Sequence, residues 1–448
     1  MGAYVLNKSC VSAILDVQAY LRDIRQVALS HRNDFTLIPV ICAEDISSAF
    51  ESIDSTVINK YIEMTFTENS NFKLKEVIAS YLQRVAYVID KNDSDKKQLI
   101  NKRYEHRSSP QGSVLSPRLW RIFDNVFSFL YKQFLSDIKD DTDTLYDYKT
   151  IAYADDHLTI LVFKIDTKNF KPDHEFCKEV FKTILKVRFA LDDATKTIGC
   201  GINAKKSEII CDQQLANLIP TAKTEFVWLG FSMCLKQNYN LTHLEFTDTK
   251  TNSKIETARN LMNQIFQYTT SINIRYKIYK TYVAPIIETY MITTFTESGQ
   301  INQTSRLRNF YYWSLKKVLN VPTTARHEDV LEGLAEKSFN EKQMTIAVKM
   351  SSRIWFVKPK YLIEKELKNK KIFKYINVPL AKNDFLDCFF LLVMTAESHN
   401  FTPRVKYDRK KAMETSRRIN YGIHKIIAKR EREKKEKEAR NPPRLILP

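Results

Sequence analysis

The sequence predicts an α/β fold, an antiparallel sheet with packed helices, followed by a helical region and a basic helical C-terminal extension. Three observations carry that expectation. Short runs rich in β-branched and aromatic residues alternate with helical periodicity through the first half. From about residue 250 onward the pattern is mostly helical. Charge then gathers at the end, where residues 404–440 hold fifteen Lys/Arg against six Asp/Glu, giving +9 of the chain's +18.

Element by element, residues 11–30 place Ile14, Val17, Leu21, Ile24 and Ala28 at helical spacing. "DFTLIPVICAEDISSAF" reads as a buried strand, Phe35 to Ala43, running into Asp45. Residues 54–64 and 72–87 have helical patterns. After "SSPQGSVLSP", Leu119, Ile122, Phe123, Val126, Leu130 and Phe134 mark a long amphipathic helix. A hairpin at 150–163 follows, then a helix around 174–190, and "IGCGINAKKSEII" and "EFVWLGFSM" read as further strands. Helices are expected at 252–268, 271–292, 302–319 and 339–354, with a lysine-rich one over 408–438.

Hydrophobic content of 44% and aromatic content of 12% exclude a disordered chain, and only 8 glycines and 13 prolines exclude a collagen-like one. The +18 charge points to a polyanionic partner. Seven scattered cysteines, without CxxC or metal-finger spacing, suit free thiols in a reducing compartment. "MGAYVLNKSC" lacks a signal-peptide core, and "CFFLLVMTA" is too short to span a bilayer. The expectation is a soluble intracellular protein, nuclear or cytoplasmic, without a membrane partner.

The chemistry-bearing stretch is "IAYADDHLTILVF", in which Asp155 and Asp156 sit between two apolar runs. Asp is a common turn residue, yet the pairs Asp140-Asp141 and Asp192-Asp193 lack such flanks. Asp45 follows a buried strand, where a carboxylate also serves as a helix N-cap. Three aspartates on neighbouring strand ends can hold two divalent cations, and hard oxygen ligands suit Mg²⁺. Two metals clamp the attacking and leaving oxygens of an in-line displacement at phosphorus.

Gln111 lies 66 residues after Asp45, and Asp155 another 44 on. In this order the segments resemble the reverse transcriptases of non-LTR (LINE-type) retrotransposons. "DISSAFESI" resembles the first palm motif, which makes Asp45 a metal ligand and Phe50 a steric gate against ribonucleotide sugars. "SSPQGSVLSP" resembles the second, implying that Gln111 and Gly112 line the incoming nucleotide. "YADD" resembles the third, implying catalytic and metal-binding roles for Asp155 and Asp156, with Tyr153 beside the primer end. "GINAKKSEII" resembles the fourth, with Lys206 near the triphosphate or as proton donor to pyrophosphate. "FVWLGF" resembles the primer grip, with Trp228, Leu229 and Gly230.

The resemblance, over roughly residues 2–335, implies a right-hand polymerase. Its expected parts are a fingers remnant at 1–44, a palm at 45–235, a helical thumb at 250–335 and a basic helical region at 336–448. Implied cofactors are two Mg²⁺ ions, with Mn²⁺ as a substitute, and implied partners are an RNA template, a DNA primer and dNTPs. Glu51 stands where Asp is frequent. With 44 residues before Asp45, the chain reads as N-terminally truncated, its fingers or an endonuclease segment belonging to a longer polyprotein. Two other readings stay open, an inactive or domesticated nucleic-acid-binding remnant and an RNA-dependent RNA polymerase. Phe50 and "YADD" oppose the second.

Overall fold

The computed structural model describes residues 10–31, 33–47, 60, 87–90, 93–99, 116–166, 173–238, 241–294, 305–347 and 406–440. They fall into two compact units, one running to Phe246 and the other starting at Thr247.

In the first unit, helix α1 (Cys10–Ser30) is followed by strand β1 (Phe35–Ser47). α1 forms where expected, and Ile14, Val17, Leu21, Ile24 and Ala28 are all buried. β1 runs four residues past the expected end at Ala43, because its last residues pair on both sides. The hairpin β2 (Tyr87–Asp90) and β3 (Asp93–Leu99) precedes helix α2 (Ser116–Asp140). Then come β4 (Leu145–Tyr153), β5 (Asp156–Asp166) and helix α3 (His174–Thr197). The helices expected at 54–64 and 72–87 lie outside the described residues, apart from Lys60, which is helical, and Tyr87, which opens β2.

α3 starts where the Asp173 carboxylate accepts a 2.8 Å hydrogen bond from the Phe176 N–H. It continues past the expected residue 190 because Val187, Leu191 and Ala194 extend its buried stripe. It ends at a Schellman turn. Gly199, at φ 80°, donates to the Lys196 carbonyl, and Cys200 donates to that of Thr195.

Short strands complete the first unit: β6 (Gly201–Ile202), β7 (Glu208–Ile210), a turn of helix α4 (Gln213–Ala216) and β8 (Ala222–Lys223). β4, β5, β1, β7 and β8 lie in that order, antiparallel except for β7–β8, with β6 on the end of β1. A second antiparallel sheet joins β9 (Glu225–Trp228), β10 (Phe231–Asn238) and β11 (Leu241–Phe246). Gln18 of α1 donates to the Leu244 carbonyl of β11 at 3.0 Å.

One face of the larger sheet, with Ile38, Val40 and Cys42 of β1 and Leu161, Phe163 and Ile165 of β5, packs on α2 and α3. Of the expected α2 stripe, Val126 and Leu130 pack against this core, while the side chains of Leu119, Ile122 and Phe123 lie outside the described ones. Trp120, Asp124, Phe127, Tyr131 and Leu135 are buried, whereas Phe134 is exposed. Hydropathy ranks Trp, Tyr and Asp low, but here each meets a polar partner beneath the sheet: the Ala154 carbonyl, Thr159 and His157. The domain boundary expected at residue 44 would cut through β1.

The second unit holds α5 (Asp248–Gln267), α6 (Ile272–Ile278), α7 (Ala284–Tyr290), α8 (Arg306–Leu319) and α9 (His327–Leu334). It also holds helical residues 339–347, here α10, and α11 (Arg409–Arg440). Between α6 and α7, Tyr279–Val283 form a π-turn just before Pro285, which has no N–H for the regular ladder. Buried Arg275 donates to the carbonyls of Phe266, Thr269 and Lys317, tying three chain segments together.

The first half of α11 packs through Ala412, Thr415, Ser416 and Ile419, and Ser416 donates to the Leu319 carbonyl at 2.7 Å. Gly333 makes this crossing close, since a Cβ there would lie 2.7 Å from Thr415 Cγ2. The basic helix therefore belongs to the second unit, which also holds the described residues on both sides of 336. Among the described residues no helix is long and apolar enough to cross a membrane, and the six described cysteines are free.

Glu336 is the charged centre of this unit. Its carboxylate accepts from Tyr276 Oη at 2.9 Å and pairs with Lys280 at 2.7 Å and Lys342 at 2.8 Å. Burial opposes its ionisation, but the two ammonium groups outweigh that and hold the carboxyl below its ordinary value. A depressed carboxylate stabilises fully above its unfolded-state value and loses that contribution as pH falls through the folded one. Glu336→Gln is expected to cost about 3 kcal/mol at neutral pH, since it removes the nearer countercharge of buried Lys342 and leaves that ammonium the more distant Glu288 carboxylate at 3.4 Å. Thermal melts across acid pH should show the difference from the unsubstituted protein shrinking as pH drops.

Candidate active site

Three pieces of backbone meet at the end of β1. Asp45 is the register partner of Asp156, with Tyr153 facing Asp156 from β4 on the other side. The Ile46 N–H donates to the Asp155 carbonyl at 3.3 Å, and the Asp45 carbonyl accepts from the Asn203 N–H at 2.8 Å. β6 adds the pairs Ile46–Ile202 and Ser47–Gly201, and Ser47 Oγ donates to the Gly201 carbonyl. The strand carrying Asp45 is thus gripped by the "YADD" turn on one edge and by the "GINAKK" turn on the other.

The "YADD" turn is a two-residue hairpin in which Ala154 adopts φ 59°. A left-handed alanine costs roughly 1–2 kcal/mol, so the surroundings must hold it. Trp120 of α2 does so, its indole N–H donating to the Ala154 carbonyl at 2.9 Å.

The side chains form a charged cluster. Asp45 Oδ2 accepts from Asn203 Nδ2 at 3.1 Å and lies 3.1 Å from Lys206 Nζ. The hydrogen bond to Asp45, then the charges of Asp45, Asp155 and Asp156, raise the Lys206 ammonium above its ordinary value. Burial, then the neighbouring charges of Asp155 and Asp45, push the Asp156 carboxyl up to about 6, against the pull of Lys206. All three expected aspartates and Lys206 therefore share one electrostatic site. Among the described residues no group of three or more acidic, His or Cys side chains is arranged to hold a metal ion. Asp45 is engaged instead by its lysine and asparagine neighbours.

The remaining expected site residues divide. Leu229 (φ 51°) and Gly230 (φ 84°) form the β9–β10 turn, a pair of positive φ values that suits a tight hairpin. Trp228, paired with Phe231, is only 3% exposed, so the hairpin presents its tip rather than the indole. Phe50, Gln111 and Gly112 lie outside the described residues. Sequence reasoning missed Asn203 and Trp120. Asn203 had a signal, a carboxamide three residues before Lys206 inside the same motif. Trp120 had none, since only the fold brings it to the turn.

An antiparallel sheet backed by helices, presenting carboxylates from a strand end and an adjacent tight hairpin, defines a polymerase palm. Residues 4–233 match the family described as reverse transcriptase (RNA-dependent DNA polymerase). That is more than half of the 448-residue chain, and the chain belongs to this family of nucleotidyltransferases. No curated protein sequence matches it. Similar solved structures include the telomerase of Candida albicans in complex with a TWJ fragment of telomeric RNA, at 13% identity and TM-score 0.33. That alignment covers 81% of this chain and 52% of the telomerase. The apo telomerase of Candida tropicalis aligns at 12% identity and TM-score 0.35, covering 79% of this chain and 56% of the other. The chain thus spans little more than half the length of either telomerase chain.

Trp120→Phe keeps the ring and deletes the donor to Ala154. It is expected to cost about 1 kcal/mol, the net worth of a hydrogen bond. Hydrogen exchange should show the amides of 153–156 opening faster, with those of α3 unchanged.

Proposed function

We propose that the chain is an RNA-directed DNA polymerase of non-LTR retrotransposon type, extending a DNA primer with dNTPs on an RNA template. The observation that carries the proposal is the Asp45–Asp156 register pair with Asp155 beside it, joining segments 110 residues apart. Asp45 is held here by Lys206 and Asn203 rather than set around a metal position. The donor chemistry nevertheless suits the implied cofactor, because clustered carboxylates offer hard oxygens and their mutual repulsion is relieved by a divalent cation. Asp45, Asp155 and Asp156 would hold Mg²⁺, or Mn²⁺ in its place. When bound, such a metal pair stabilises charge on the attacking and leaving oxygens of the displacement at phosphorus.

The protein's own residues supply the rest. Asn203 orients the Asp45 carboxylate. By resemblance, Lys206 serves near the triphosphate or as proton donor to the departing pyrophosphate, and its 66% exposed side chain leaves it free to move from Asp45 to do so. Leu229 and Gly230 offer a hairpin tip to a primer strand. By resemblance, Phe50 gates the sugar, and Gln111 and Gly112 line the nucleotide. The retrotransposon assignment rests on the five motifs and their order.

Primer extension on an RNA template, comparing dNTPs with rNTPs, tests the proposal. Extension with dNTPs is expected, and Asp155→Asn should abolish it while leaving RNA affinity within about twofold. Equal use of rNTPs would instead favour an RNA polymerase. RNA binding without extension would favour a non-catalytic remnant.

The distal half of α11 is exposed throughout its described side chains and includes Lys425, Lys429, Arg430 and Arg432. Unpatterned basic side chains neutralise phosphates without reading bases. Truncation after Asn420 leaves the packed half of the helix in place. It should weaken binding to all RNAs alike and reduce the salt slope by about 0.7 per lost phosphate contact on single strands.

A further inference from the structure

A buried polar row lies one residue behind the carboxylates. In the β1–β5 register Glu44 faces His157, next to the Asp45–Asp156 pair. On the other edge Ser207, adjoining the Ala43–Glu208 pair, lies beside the Glu44 carboxyl, which burial raises above its ordinary value against the pull of Ser207 and Arg188. Side chains alternate along a strand, so this row points away from Asp45 and Asp156, toward α2 and α3. There Glu44 Oε1 accepts from Arg188 Nε of α3 at 3.1 Å, and His157 Nε2 stands 3.6 Å from Asp124 Oδ1 of α2. Glu44 and His157 are each 5% exposed and Asp124 6%.

Apolar side chains would serve this layer at lower cost, as Ile38, Val40 and Cys42 do farther along β1. Burying a carboxylate and an imidazole costs desolvation that their partners must offset. What they add is direction. An apolar contact tolerates small rotations of a strand end, whereas the 3.1 Å Glu44–Arg188 hydrogen bond fails if the end slides or turns. The His157–Asp124 pair, at 3.6 Å, adds a close polar contact rather than a hydrogen bond. The row also connects to the other side of the site, because Ser207 Oγ donates to the Asn203 carbonyl at 3.1 Å and Asn203 holds Asp45.

We propose that Glu44, Arg188, His157 and Asp124 are positioning residues, anchoring the two strand ends to α2 and α3 so that Asp45 and Asp156 converge on the opposite face. This rests on the polymerase reading above, in which those aspartates hold divalent cations. Outer contacts of this kind typically change metal affinity or turnover 10- to 100-fold.

The test is Mn²⁺ titration of the full chain followed by electron paramagnetic resonance, with circular dichroism melts and steady-state dNTP kinetics on the same preparations. Glu44→Gln and Asp124→Asn should each weaken Mn²⁺ binding about tenfold or more and lower kcat with little change in the dNTP KM. Arg188→Lys, which keeps the charge, should retain most of the affinity that Arg188→Met loses. If Glu44→Gln fails to fold, Asp124→Asn and the Arg188 pair decide the matter. Folded row variants that bind Mn²⁺ and turn over like the unsubstituted protein overturn the inference alone, provided that Asp45→Asn abolishes binding. An unsubstituted protein that binds Mn²⁺ no better than Asp45→Asn overturns the polymerase reading and this inference with it.

Discussion

The site depends on the clamping of one strand end. β1 reaches Ser47 only because Ile46 donates to the Asp155 carbonyl on one edge and the Asp45 carbonyl accepts from Asn203 on the other. Without these two hydrogen bonds the strand would stop where its apolar run stops, and Asp45 would sit on a loose turn. With them its backbone is fixed between two turns, and its side chain meets Asp156 across one strand spacing. The left-handed Ala154 belongs to the same arrangement, its strain opposed by the hydrogen bond from Trp120.

Like charge is the cost of that closeness. Burial and two neighbouring carboxylates disfavour the ionised form of Asp156, and among the described residues Lys206 pulls the other way. A site that concentrates negative charge in this way selects cationic groups. Among the described residues the Lys206 ammonium supplies one, on a largely exposed side chain. Asn203 and the strand backbone hold Asp45 independently of that lysine.

The described elements of the second unit are all helical, and cations help hold them together, Arg275 and Lys342 buried and Lys280 exposed. Arg275 donates to three carbonyls near helix ends, those of Phe266, Thr269 and Lys317. Lys280 and Lys342 converge on Glu336. Against this scaffold the first half of α11 docks through small residues and through Gly333, leaving the basic second half to solvent.

The sequence by itself determined the local elements and the identity of the charged groups. Helical spacing in α1, the apolar runs either side of Asp155-Asp156, and the motif order are local patterns, so they were legible and the structure keeps them. Where local pattern weakened, the reading failed. The α2 stripe includes Trp120, Asp124 and Tyr131, which hydropathy assigns to no core, and α3 and β1 run beyond their expected ends because of caps and pairing. Only the tertiary structure decided which groups meet. Glu44 and Arg188 are 144 residues apart, and Asp45 and Asn203 are 158 apart. No periodicity along the chain encodes such pairings, because they arise from strand register and from the packing of helices on one face of the sheet.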